Sequence, residues 1–139
     1  MTDNSMLASW PSPLRSVLSV VAGFATVVIF STATDGVMHM LNIIPPGAMW
    51  NPWHNALALA YRCVFTVAGG YVTALLAPRA TMSHVAVLGI IGTAAGIAGV
   101  IFTVDLNLGP RWYPIAIAAT GFPCVWLGGM LFRSRRAGM

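Results

Sequence analysis

The sequence predicts an all-α integral membrane protein, a bundle of four spanning helices with both termini cytoplasmic, and three observations predict it. Of its 139 residues, 58% are hydrophobic and 7% charged, with a mean hydropathy of +0.80, too apolar for a soluble core covered by polar surface. The runs 16–34, 63–77 (with the apolar 56–61 before it), 85–104 and 112–132 contain no charged residue, and a bilayer core of ~30 Å takes about 20 helical residues. Arg15 precedes the first run, Arg79 separates the second from the third, and Arg133, Arg135 and Arg136 follow the fourth, whereas the opposite connections hold only Arg111. The positive-inside rule then puts both termini in the cytoplasm. The net charge of +4, seven arginines against three aspartates, reports orientation and not nucleic-acid binding.

Residues 1–14, MTDNSMLASWPSPL, read as a short polar lead without a fold, with Trp10 at the headgroups. The first helix is expected over about 15–41. Ser31-Thr32-Ala33 resembles a signal cleavage site, but the apolar run exceeds a signal h-region and the helical pattern continues through Gly36, so cleavage is not expected. In the connection NIIPPGAMWNPWHN, Pro45-Pro46-Gly47 breaks the helix, and Trp50 and Trp53 suit an interface. Asn51 as N-cap with Pro52 at N1 starts the second helix, about 51–77, which ends before Pro78.

The third helix, about 83–104, carries Gly89, Gly92, Gly96 and Gly99 at intervals of three and four, including a GxxxG pair. Such a smooth face suits close packing within the chain, with Gly69, Gly70, Gly128 and Gly129 as receivers; the other use is a homo-oligomer or a membrane-protein partner. His84, at its cytoplasmic end, is expected to cap or solvate the start of this helix. The fourth helix, about 111–132, opens with Trp112 and Tyr113 in an aromatic belt and is kinked by Pro123. Residues 134–139 form a basic tail whose arginines anchor topology. No internal repeat is evident.

Arg62 lies inside the second helix, and Asp35 is the one acidic residue adjoining the first apolar run. An ionisable group in a membrane needs a partner. At 1.5 Å per residue Arg62 lies about 26 Å from Arg79 and Asp35 about 30 Å from Arg15, so both reach similar depth near the outer boundary. Tyr61, His39, His54, Asp105 and Arg111 belong to the same end and are candidates to converge there as a polar vestibule. Either Asp35 and Arg62 satisfy one another and lock two helices together, or Asp35 takes a proton or cation whose affinity Arg62 tunes. Asp35, His39, His54 and Asp105 are ligands of suitable type, but beyond Asp-x3-His they lack compact spacing, so no metal is expected. No GxSxG or HExxH signature is present and no enzyme activity or cofactor is expected. Cys63, placed near the outer end, and Cys124, placed about 18 Å into its helix, are expected to be free thiols at different depths.

The combination YR…AGGYVTALLAP, M-x-H, GPRWYP and FP…GG, over 61–129, resembles a recurrent group of small four-span bacterial inner-membrane proteins without an established activity. The resemblance implies architecture and inner-membrane location only. The four-span multidrug exporters are similar in span count, yet their first-helix glutamate has no equivalent here, and no signature of the small fluoride channels is found. The expected role is therefore a non-enzymatic structural or accessory membrane component, and the alternative is a minimal transporter or channel subunit.

Overall fold

The computed structural model describes residues 11–139; Trp10 and most of the polar lead lie outside the described residues. The chain forms α1 (Ser12–Met40), α2 (Pro52–Leu76), α3 (Thr81–Thr103), a short 3-10 turn (Val104–Leu106) and α4 (Trp112–Ala137). All four α-helices are long and apolar enough to cross a membrane, and the fold is an all-α four-helix bundle. The α1–α2 and α3–α4 connections share one end, the loop end. The start of α1, the end of α4 and the α2–α3 link share the other.

Local chemistry sets the boundaries. Asn51 accepts a hydrogen bond from the Trp53 amide at 3.0 Å with Pro52 in the first turn, so α2 starts as its cap residues require. α1 begins earlier than expected, at Ser12, because Pro13 lies in the first turn, where its missing N–H removes no helical bond. Its end is closed by Asn42 at φ 54°, whose amide bonds the His39 carbonyl at 3.1 Å. The tail expected over 134–139 is helical through Ala137, placing Arg135 and Arg136 in the last turn of α4, where cations complement the helix dipole. α3 likewise starts at Thr81, after Ala80 in the left-handed region.

α4 packs along both α2 and α3, α1 packs along α2, and α1 meets α3 only lightly. The buried core, Ala74, Val85, Leu88 and Val125, sits where α2, α3 and α4 meet. Residues such as Phe24, Ile29, Ile90 and Phe102 are exposed around the outside, as expected where lipid is the solvent and helices associate by close packing.

Close packing depends on glycines, in a different pattern from the expected one. A Cβ on Gly128 would lie 2.0 Å from the Val67 carbonyl oxygen and one on Gly70 2.2 Å from the Val125 carbonyl oxygen, so both serve the α2–α4 contact. Gly69 meets Gly23 of α1, a partner the sequence reading passed over. Gly129 receives Val85 of α3, while Gly89 and Gly96 pack on Phe122 and Ala118 of α4. Gly92 and Gly99, expected in the same packing face, have no neighbour within 4 Å of an added Cβ. The reason is angular. At about 100° per residue, positions seven apart differ by roughly 20°, but positions three apart by about 60°, so Gly89 and Gly96 face α4 and the other pair turns aside.

Candidate functional site

The loop end gathers the polar residues of the membrane region. Asp35 lies in the second-last turn of α1, and its two carboxylate oxygens take different donors from α2: the Tyr61 hydroxyl donates to Oδ1 and Arg62 Nη2 donates to Oδ2. Adjacent positions on a helix normally diverge by about 100°. Here Tyr61 and Arg62 straddle the α1–α2 seam and reach the carboxylate from either side. The pair is partly enclosed, with side-chain exposures of 32% for Arg62 and 27% for Asp35. Directly beneath it, Phe30 of α1 stacks on Phe65 of α2 at 5.6 Å between ring centroids, and Tyr61 tilts against Phe65 at 6.2 Å, so aromatic surface lines the side facing the bilayer centre.

Tyr113, in the first turn of α4, faces the same guanidinium. The cluster consequently joins α1, α2 and α4. Sequence reading assigned Tyr113 to an aromatic belt; its position beside Arg111, at the end that holds Arg62, was the available signal. Arg62 Nε is buried and has no partner, leaving one donor of the guanidinium uncommitted.

The remaining candidates do not join this cluster. His39 is exposed, and its Nδ1 lies 2.6 Å from the backbone oxygen of Asp35, not its carboxylate: residues four apart share a face, and the ring folds back along the helix. Asp105 is exposed in the 3-10 turn, and among the described residues the Arg62–Asp35 pair is the one salt bridge. Arg111 lines a separate cavity at the same end. Asp35, His39, His54 and Asp105 are not gathered into a metal-binding group among the described residues. The expected single vestibule is thus two features, an ion-pair cluster and a cavity, with Tyr113 bordering both. At the opposite end His84 Nδ1 lies 3.1 Å from the Ala80 oxygen, at the start of α3.

Cys63 and Cys124 are free, but their expected difference in depth is incorrect: the two side chains are neighbours. α2 and α4 run in the same direction, and Cys63 is eleven residues beyond Pro52 while Cys124 is twelve beyond Trp112. Counts that differ by one residue along parallel helices give depths within about 1.5 Å.

Chemically, the cluster is a carboxylate with a donor on each oxygen. Such an arrangement holds helices in register. Comparison with protein-family models, curated proteins and solved structures finds no match to this chain.

Proposed function

We propose that this chain is a non-enzymatic, multi-pass protein of the bacterial inner membrane, serving as a structural or accessory component with both termini cytoplasmic. One observation carries the reading: both carboxylate oxygens of Asp35 are engaged by Tyr61 and Arg62 of the neighbouring helix. A carboxylate used in transport must exchange these partners for cargo, whereas one used in architecture keeps them. The arginine distribution supports the orientation, and the resemblance to small four-span inner-membrane proteins supports the location.

The second reading is a minimal transporter or channel subunit with Asp35 and Arg62 lining an ion path. It is favoured by the unpartnered Arg62 Nε and by the cavity bordered by Tyr113. Reconstitution into liposomes separates the two. The structural reading expects no conductance above empty liposomes over a panel of cations, anions and small solutes, together with a specific membrane protein co-purifying from native membranes. A saturable flux lost in Asp35→Asn, with the variant still folded, would install the transporter reading in its place.

A further inference from the structure

α2 and α4 run in the same direction and touch backbone to backbone. A Cβ on Gly128 would lie 2.0 Å from the Val67 carbonyl oxygen, which makes Val67 and Gly128 one level of the seam between the two helices. Cys63 precedes Val67 by four residues, and Cys124 precedes Gly128 by four. Residues four apart on a helix share a face, so the two cysteines occupy the next level of the same seam, one turn toward the loop end. Their side chains are neighbours there.

This placement meets the demands of a disulfide. Such a bond needs Cα atoms within roughly 7 Å of each other and side chains directed across the gap. The contacts of Gly70 with the Val125 oxygen and of Gly128 with Val67 hold the two backbones at close range. Both thiols are free and half-buried. Neither belongs to the core of Ala74, Val85, Leu88 and Val125, and neither is a donor to the Asp35 carboxylate.

The surroundings select the reaction partner. Cys63 lies about 17 Å along α2 from Pro52 and Cys124 about 18 Å along α4 from Trp112, both within helices apolar enough to cross a membrane. Ions, soluble thiols and soluble proteins are excluded at that depth. A quinone is not, because it is uncharged, dissolves in hydrocarbon and accepts two electrons and two protons. In the exchange two S–H bonds break and one S–S bond forms; the sulfurs are oxidised, and the quinone takes both electrons and both protons to become the hydroquinone. Reactants and products are all uncharged, so no ion is left in apolar surroundings.

We propose that Cys63 and Cys124 form a redox-active dithiol, which a membrane quinone closes into a disulfide tying α2 to α4. The closed loop contains all of α3, and a cross-link over so long a loop strongly restricts the unfolded chain. This site is independent of the accessory or transport role of the Asp35 cluster.

The test uses the full chain, reduced and reconstituted into phosphatidylcholine liposomes, then treated with decylubiquinone in the absence of oxygen. Remaining thiols are counted by N-ethylmaleimide labelling of the denatured chain and intact mass, linkage is read on a non-reducing gel, and the unfolding midpoint is taken after extraction into mild detergent. The unmodified protein should lose both labelling sites while staying a monomer, yield one hydroquinone per chain and gain a higher midpoint, all reversed by dithiothreitol. Cys63→Ser and Cys124→Ser should each keep the remaining site and reduce no quinone. Persistence of both labelling sites after quinone treatment overturns the proposal, as do disulfide-linked dimers in place of the closed monomer. Closure by copper phenanthroline but not by the quinone overturns it as well, leaving proximity without the reaction. These measurements on the unmodified protein need no variant, so they decide the matter even where a substitution disturbs folding.

Discussion

Tyr61 and Arg62, consecutive residues of α2, grip the two oxygens of one carboxylate, Asp35 of α1. The donors differ in kind. Arg62 brings a full charge and Tyr61 a neutral hydroxyl, so their removal should have unequal consequences. Tyr61→Phe leaves the ion pair and the contact of the ring with Phe65 in place and removes one hydrogen bond. The expected loss is about 1 kcal/mol, read as a modest fall in the thermal midpoint in detergent. A variant as stable as the parent would mean that the Tyr61 hydroxyl contributes nothing beyond what the headgroup region supplies.

Glycine substitutions should divide sharply by position. Gly128→Ala puts a methyl group 2.0 Å from the Val67 oxygen and Gly70→Ala puts one 2.2 Å from the Val125 oxygen. Backbone cannot yield as a flexible side chain does, so separation of α2 from α4 should cost about 3 kcal/mol or more. Gly92→Ala and Gly99→Ala meet open space and should leave the midpoint unchanged or slightly raised, since alanine favours helix. A marked fall at Gly92 or Gly99 would show that another chain covers that face.

For orientation, a cysteine at Ala48 is a better reporter than one at Gly47, whose φ of 104° disfavours a side chain. With the native thiols half-buried and eleven or more residues into their apolar helices, a membrane-impermeant maleimide should label Ala48→Cys in intact cells. Ala137→Cys should react only after permeabilisation. The reverse pattern would place the termini outside and overturn the arginine-based assignment.

Much of this architecture was legible in the sequence because bilayer thickness demands long uninterrupted apolar runs, and this chain has four of them. The Asn51 cap and the Pro52 start were legible for a local reason: side chain and backbone meet within two residues. Pairing of Asp35 with Arg62 followed from depth, a coordinate that helical rise supplies. What depth does not supply is azimuth. Gly92 and Gly99 were grouped with Gly89 and Gly96 because the spacing alone places them all near one face, and only the position of α4 separates the two pairs. Tyr113 was missed similarly, since its importance comes from α4 meeting Arg62. Cys63 and Cys124 were separated by an inconsistent depth reference, which counting both from their own helix starts would have removed.

The most direct measurement of the central claim, that Asp35 and Arg62 serve one another across the α1–α2 seam, is a double-mutant cycle on thermal stability in detergent. Asp35→Asn leaves a guanidinium without its anion, and Arg62→Gln leaves a carboxylate with only Tyr61. For a pair that is partly enclosed, each should cost on the order of 2 kcal/mol, between the values for exposed and fully buried pairs. The combined variant should lose less than the sum of the two, recovering about 1 kcal/mol or more as coupling. Strictly additive losses, or single variants as stable as the parent, would contradict the account.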